Sequence, residues 1–503
     1  MATKTPHSPL EMDRASFAAL EHIALVEIAY RLQTQVIELT ERLAMNSSNS
    51  SKPPSSDTFF GHGGTSSVVA SDKLDRVKPA SAEGSEAKKS REPSGRKPGK
   101  QLGAKGMCRS KPLVAERTET HWPKVCGHCH GSLDNTAETV RTAEAFYVFN
   151  LERIAGGIRI GCVLHRYQVV RCGCGREEAA APGAGVLSFQ EGRKRDLLVT
   201  ERSLVGPDLA SFIAALHTRH RQSRRLIAEF LAVWFGVSLS VGTIDRCIRE
   251  VGVACEPIVE DLLEEIRSSG IIHADETPWY QGALNCWMWV VLTATTAVYY
   301  IGSRRHEEIR DLLGDAIIGW LITDGYHAYR NYPNRQRCLA HLIRKGLSLA
   351  GGLRPDGGRF GEWLVRELRN LIKAVSEDKD HTILNPIQAR LKRACKLHRD
   401  HETEKIRALA REILLDWDAI VAFVVNRALP PTNNEAERAL RHAVIARRLS
   451  YGTRTPEGSA AYAATLSVVE TCRRRNVDPW SYIADVLARA RTNQNHLPIP
   501  AAL

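Results

Sequence analysis

The stretch IIHADETPWY (271–280), read together with GWLITDGYHAY (319–329), decides the fold of this 503-residue chain. Each is a short apolar run of strand-forming residues that reaches acids: Asp275 and Glu276 in the first, Asp324 in the second, where Gly325 closes a turn. Between them, LNCWMWVVLTATTAVYYI (284–301) carries no charge and is long enough to raise a membrane helix. Trp, Val and Tyr on either side of TATT fit two buried strands and a short turn better. A helix is expected around 306–313. The order is therefore strand, hairpin, helix, strand, with an Asp at the carboxyl end of the first and fourth strands. Neighbouring strands lie about 4.8 Å apart, so adjacent placement lets both Asp side chains reach one metal ion.

That order is the ribonuclease-H-like pattern, in which the first and fourth strands are adjacent. It needs a third acid. Pro430-Pro431 halts the chain, and a helix is expected from about Asn433 with Glu437 in its first turn, able to point back at the sheet. An Asp, Asp, Glu trio suits Mg2+ (or Mn2+), which takes oxygen ligands in octahedral geometry. Two such ions stabilise the attacking and leaving oxygens of an in-line phosphoryl displacement. Each acid also has a plain structural reading. Asp275 starts a turn before Thr277-Pro278, Asp324 belongs to an Asp-Gly turn, and Glu437, three after Asn434, closes a capping-box-like helix start.

Composition narrows the class. Apolar residues make up 43% and charged residues 25%, which excludes a wholly disordered, collagen-like or polytopic membrane chain. The length is about three times that of a usual single core, so several domains are expected. The net charge of +12 favours an anionic partner, most often nucleic acid. Residues 73–111 hold twelve Lys or Arg against four Asp or Glu, a net +8, in a Ser-, Pro- and Gly-rich context. Residues 46–112 therefore read as a flexible basic linker. It is either a solvated tether or an arm along DNA phosphates through Arg96, Lys97, Lys100 and Lys105. Before it, residues 16–45 read as a helix with Leu25, Leu32 and Leu39 seven apart, Ile28 between the first two, and Val36 and Leu43 as a second step. Gln35 and Arg42 interrupt the seam, so a dimerising zipper and a docked amphipathic helix both stay open. Nothing at the start reads as a signal peptide, and a reducing cytoplasm is the expected compartment.

Twelve cysteines are too few for a disulfide scaffold. Cys126 and Cys129 form a Cys-x-x-Cys knuckle; Cys172 and Cys174 form a tighter pair. Four thiolates suit a closed, structural, tetrahedral zinc site. FYVFNLERI (146–154) and IRIGCVLHRYQVVRC (158–172) read as a β-ribbon turning at Gly156-Gly157 that carries both pairs to one metal. His121, His128 and His130 are replacement ligands, and unmetallated thiols are the plain alternative. Further on, Leu226 to Trp234 reads as a helix, Phe235-Gly236-Val237 as a turn, and Ser240 as the cap of a second helix through Ile244 and Ile248. This fits a helix-turn-helix with Arg246 and Arg249 facing the groove, or an ordinary helical hairpin.

These motifs resemble a known family, the bacterial insertion sequence transposases of the sixty-six type, TnpC-like proteins with a DDE nuclease domain. The carriers are HADETP (273–278), TDGYHAY (323–329) with CLAHLIRK (338–345), and PTNNEAERALR (431–441). NSSNSSKPPSSD (46–57), RKPGKQLGAKG (96–106) and NVDPWSYIADVLARA (476–490) are also similar, so the resemblance spans about 20–490. It implies that Asp275, Asp324 and Glu437 are catalytic, metal-binding acids. It also implies a zipper-like amino terminus, a zinc-finger-like cysteine region and a helix-turn-helix ahead of the catalytic domain. The chain departs from the family pattern at Cys172-Gly173-Cys174, which has one intervening residue instead of two.

The expected fold class is multidomain α+β. A zipper-like helix (16–45) and basic linker (46–112) lead to a zinc-finger-like β module (113–190) and a helical DNA-binding region with the helix-turn-helix (205–268). A ribonuclease-H-like mixed α/β catalytic domain (269–450) follows, with a helical insertion at 345–428, and then a C-terminal helical region (451–503). The 113 positions from Asp324 to Glu437 require that insertion, and EWLVRELRNLIKAV (362–375) has helical spacing. The expected chemistry is two-step: activated water cleaves at the element's end, and the freed 3′-hydroxyl then attacks target DNA. His341 positions the strand or is structural; Arg438 and Arg441 contact phosphate or pair with Glu435 and Glu437. Expected partners are double-stranded DNA (terminal inverted repeats and target), further copies of the chain, and sister proteins of the same element. No membrane is expected, and the protein would be cytoplasmic and nucleoid-associated when bound. The rival readings are a catalytically inactive DNA-binding regulator and a general nuclease of the same fold.

Overall fold

Alternating β-branched and aromatic residues drive 271–302 into three strands that face two different cores. The computed structural model describes residues 22–43 and 113–501, except 135–136, 184, 186, 189–196 and 353. The basic linker, with Arg96, Lys97, Lys100 and Lys105, lies outside the described residues. Helix α1 (His22–Leu43) leaves Leu25, Val36 and Leu39 facing solvent on the single chain.

A β module comes next. Strand β1 (Arg117–His121) runs parallel to β3 (Gly157–Arg171), which pairs antiparallel with β2 (Glu138–Ile154) and β4 (Glu177–Ala179). The β2–β3 ribbon turns at Ala155-Gly156, one residue earlier than expected. A small pair, β5 (Leu187–Ser188) and β6 (Leu197–Leu198), leads out of it.

Helices α2 (Pro207–Thr218), α3 (Arg224–Phe235) and α4 (Val241–Arg267) follow. Ser223 caps α3 and Ser240 caps α4 through their side chains, and Gly236 ends α3 in the left-handed region at φ 67°. The second helix of the expected pair thus starts where Ser240 places it, but it continues for 27 residues as the long support of the sheet.

The central sheet has the order β11-β10-β7-β8-β9. Its strands are β7 (Ile271–Gln281), β8 (Leu284–Leu292), β9 (Ala297–Gly302), β10 (Trp320–Thr323) and β11 (Arg335–Arg337), with helix α5 (His306–Leu313) between β9 and β10. β7, β8 and β9 form an antiparallel meander, and β10 runs parallel to β7. The uncharged stretch is thus a hairpin, and no described helix is long and apolar enough to cross a membrane. Asp275 does not end its strand as expected. It lies mid-strand, because Thr277, Trp279 and Tyr280 keep pairing with β8. The shorter β10 and β11 stop at that level.

Five helices fill the space between β11 and the Pro430-Pro431 stop. They are α6 (Leu339–Ala350), α7 (Pro355–Ser376), α8 (His381–His398), α9 (Glu404–Leu415) and α10 (Trp417–Val425), and they share a core around Leu364, Leu368, Leu391 and Phe423. Helices α11 (Asn434–Ser450), α12 (Pro456–Arg474) and α13 (Pro479–Arg491) close the chain. Period-two alternation sorts the sheet. Met288, Val290 and Leu292 pack on α11 and α12, while Trp289 and Val291 join the core built on α4. α12 approaches α4 so closely that a Cβ on Gly252 would collide with Ala461.

α13 is locked to α4 by a buried ion pair: Arg491 Nη2 donates to Glu250 Oε2 at 2.7 Å, and Arg491 Nη1 donates to the Val205 carbonyl at 2.7 Å. The Arg491→Met variant leaves the buried Glu250 charge only the longer pairing with Arg246, whose Nε lies 3.7 Å from Oε1, and should cost about 3 kcal/mol in urea unfolding. Adding Glu250→Leu should restore most of that loss, since the stranded charge, rather than missing attraction, carries the cost. Equal instability of the single and double variants would contradict this.

Candidate active site and metal centres

The parallel register Leu321↔Ile272 and Ile322↔His273 puts Asp324, just past β10, beside Asp275 on β7. Asp275 shares its sheet face with His273 and Thr277; Glu276 points to the opposite face. α11 is brought to this edge by Asn433, which is fully buried. Its Nδ2 donates to the Ala274 carbonyl at 2.8 Å, and its Oδ1 meets His273 Nδ1 at 2.9 Å. Asn434, read from the sequence as the start of a capping box with Glu437, is instead the first helical residue, and Asn433 in the cap position makes no side-chain cap but a tertiary tether. Glu437 lies one turn on, and its charge, with that of Asp324, bears on Asp275.

Burial first, then the Asp324, Glu276 and Glu437 charges, raises the Asp275 carboxyl well above the ordinary range. The three carboxylates are not fully converged. Glu437 Oε1 accepts from Arg344 Nη2 at 2.9 Å and lies 3.7 Å from His341 Nε2. Its ligand atom groups within 4.8 Å with those of Cys338 and His341, and no such group among the described residues contains both aspartates. His341 is held neutral, pushed down to about 3 by burial and then by Arg344, Arg337 and Lys345. Asp324 is aimed by its own turn, with Oδ1 accepting from the Tyr326 amide at 2.8 Å. Gly325 has no room for a Cβ, which would collide with the Arg337 guanidinium.

Several neighbours escaped the sequence reading. Glu276 is pushed up to about 7 by burial and Asp324, against the pull of Arg304 and Tyr329. Arg304 Nη2 donates to it at 2.8 Å and Tyr329 Oη at 2.7 Å. Arg304 itself is stacked between Trp287 and Tyr326, at 4.0 and 4.2 Å from the ring centres. Asn433 and Arg344 were also missed as partners of the acids. Arg438 donates to Glu435 at 2.8 Å, and Arg441 is exposed. Arg246 is half-engaged, donating to the Leu198 carbonyl at 3.2 Å, and Arg249 is half-buried.

The donor chemistry fits a hard divalent cation: carboxylate oxygens crowded where their charges repel, with one aspartate largely desolvated. The cysteine region fits a different metal. Cys126, Cys129, Cys172 and Cys174 bring their sulfurs together, with Cys129–Cys172 at 3.5 Å and Cys126–Cys174 at 3.8 Å. Tetrahedral zinc with Zn–S of about 2.3 Å requires sulfurs about 3.8 Å apart. A single residue between Cys172 and Cys174 suffices, because Gly175 at φ 86° closes the second knuckle and its amide donates to the Cys172 carbonyl at 2.8 Å. The Arg176 amide holds the Cys174 thiol down to about 6. This cluster of four thiols suggests a structural zinc site. His121, His128 and His130 are not part of it.

The profile of the Transposase IS66 family matches residues 202–461, which include all three acids, and a family of unknown function (DUF6444) matches residues 10–63. The chain is 25% identical over 407 residues to the uncharacterized protein y4jD of Sinorhizobium fredii, covering 73% of this chain and 74% of that one. It is also 25% identical over 338 residues to y4hP of the same organism, covering 58% and 60%. The family match takes in just over half of the chain, from the helices ahead of the central sheet to the start of α12. On that ground the protein belongs to the transposase IS66 family.

Proposed function

We propose that this chain is a DNA transposase that binds the ends of its element and carries out metal-dependent strand cleavage and strand transfer, with Asp275, Asp324 and Glu437 as the catalytic acids. The observation that supports the reading is the parallel pairing of β7 and β10, which brings Asp324 beside Asp275, with the charge of Glu437 on α11 also felt at Asp275. Mg2+ or Mn2+ held by these residues would supply charge neutralisation at the scissile phosphate and activation of the attacking oxygen.

The chain's own groups supply the rest. Asp275 and Asp324 present oxygens from a rigid sheet edge, and Asn433 fixes the distance of α11 from that edge. Arg344 pairs with Glu437 and balances its charge; with Asp275 and Asp324, Glu437 would be the third oxygen donor to a divalent cation. Glu276, locked by Arg304 and Tyr329, faces away and stiffens the strand beneath Asp275. Water in cleavage, and a 3′-hydroxyl in transfer, attack phosphorus in turn, so no Ser or Tyr nucleophile is required. DNA is held by the basic arm with Arg96, Lys97, Lys100 and Lys105, by Arg246 and Arg249 of the helix-turn-helix, and by Arg441 beside the acids. Membership in the family supports DNA as the partner in general; the domain divisions named above, the zipper as a dimerising element, and assisting proteins of the same element belong to this proposal.

A cleavage assay with Mg2+ and duplexes carrying the element's terminal repeats tests the reading. Asp275→Asn, Asp324→Asn and Glu437→Gln should each lower cleavage by at least about 10²-fold, since several kcal/mol of transition-state stabilisation are removed. DNA affinity should stay within about twofold. Retained cleavage in one variant removes that residue from the site, and wild-type binding without cleavage favours a DNA-binding regulator instead.

A second outcome follows from the acid cluster. A carboxyl raised in the folded state favours folding while protonated; that contribution is present below its unfolded pKa and is lost as pH rises through its folded value. In chelator, Asp275→Asn should therefore melt higher than wild type at pH 8, with the gap closing toward pH 4. Excess Mg2+ should raise the wild type more than the variant. A variant no more stable than wild type at pH 8 without cation would show that the repulsion is negligible.

A further inference from the structure

A second cluster of ligand atoms lies in the β module, outside the cysteines and far from the acids. Glu119 and His121 stand two apart on β1 and so share a face; the parallel register sets Glu119 opposite His165 and His121 opposite Tyr167 on β3. The ligand atoms of Glu119, His121 and His165 all lie within 4.8 Å of one another. His121 Nε2 and His165 Nδ1 are 2.9 Å apart, and His165 Nδ1 is 3.8 Å from Glu119 Oε2. At a Zn–N distance of about 2.05 Å, a 2.9 Å separation subtends roughly 90° at the metal, within reach of a relaxed zinc site.

We propose that Glu119, His121 and His165 form a second transition-metal site, of the zinc class, independent of both the four-cysteine cluster and the carboxylate trio. Two imidazoles and one carboxylate are a three-ligand set that leaves a coordination position open, unlike the closed set of four thiolates. The open side has somewhere to lead. A cavity of about 290 Å³ borders His121 and His165 and is walled by Phe146, Tyr167, Glu201 and Arg489 among others. Water completes the coordination from that side.

The site cannot be a detached part of the cysteine centre. Tyr167, opposite His121, is five residues from Cys172, roughly 16 Å of extended strand. One ion cannot bridge that distance. The competing account is a ring ladder with a His–His hydrogen bond: His121 stacks on Tyr167 with ring centres 4.4 Å apart, and Phe146 lies against His165 at 5.9 Å. Such a ladder holds the rings in place without metal, so stability alone does not distinguish the two accounts; metal content does.

The test uses the full chain, equilibrated with zinc and then freed of unbound ion, with bound zinc measured per chain. Wild type should hold one equivalent more than His165→Ala, and folding of the variant is checked by circular dichroism. Glu119→Gln, which keeps the shape of the side chain, should weaken that equivalent at least about tenfold, as loss of even an outer partner of a metal site does. In cobalt-loaded protein, His121→Ala should remove absorption of a nitrogen–oxygen site and leave the sulfur-to-cobalt charge-transfer band of the four-cysteine centre unchanged. Equal zinc content in wild type and folded His165→Ala, whatever the absolute number, overturns the proposal. So does a second equivalent whose affinity is unmoved in Glu119→Gln.

Discussion

Electrostatic repulsion between Asp275 and Asp324 is the constraint around which the central part of the molecule is built. Two strands in parallel register place like charges at adjacent positions, and burial makes the Asp275 charge harder to bear. Left alone, that edge would prefer to separate or to lose its burial. The surrounding structure holds it from three directions. Asn433 uses both ends of its amide to clasp β7 next to Asp275. Arg304, flattened between two aromatic rings, and Tyr329 immobilise Glu276 on the reverse face. Arg344 supplies the positive charge nearest Glu437. None of these contacts acts on the aspartates directly; each limits the freedom of the backbone that carries them.

The helices between β11 and α11 contribute to the same end. β11 is three residues long, and all three side chains are buried, two of them arginines. Asp416, at the α9–α10 junction, accepts from Arg330 at 3.1 Å and Arg335 at 2.9 Å, and it also pairs with Arg337, which reaches Glu412 as well. Gln336 Oε1 accepts from the Phe423 amide at 2.7 Å. A charged edge strand would be costly to bury alone. Here its charges are matched by the helices that cover it, so the helical segment and the sheet edge require one another. That coupling fixes α6, and with it His341 and Arg344, relative to the acids.

What is legible in the sequence is what depends on neighbours in the chain. The uncharged 284–301 stretch declares itself a hairpin through its own residues, Ser240 acts as a cap where local rules place it, and the two cysteine pairs are short-range patterns. The differences between expectation and structure share a cause. Acids usually close strands, which sets an expected end at Asp275, yet pairing with β8 carries β7 six residues further. Asn434 with Glu437 looks like a capping box while only local partners are in view; the cap position falls to Asn433, whose partners, His273 and Ala274, are about 160 positions away. His121 stands near the cysteines in sequence, whereas the β1–β3 pairing sets it opposite Tyr167 and within 2.9 Å of His165, 44 positions on. Asn433 and His121 each have polar atoms whose partners are decided by strand pairing, which a pattern along one chain does not contain.

The chemistry of the donors also explains why these centres can coexist in one chain. Thiolates at the knuckles form a soft set that favours zinc and excludes magnesium, and they are close enough to close a tetrahedron. The carboxylates of Asp275 and Asp324 are hard oxygen donors, of the kind that suits the proposed divalent cation, while Glu437 is paired with Arg344. A structural centre needs its metal to remain folded, so a closed shell of four strong ligands is the stable arrangement. A centre proposed to handle DNA phosphates needs coordination positions to spare, and a trio of carboxylates leaves them. The basic excess that marks the whole composition suits an anionic polymer, and the proposed chemistry rests on a few acids, of which Asp275 sits where its charge is hard to bear.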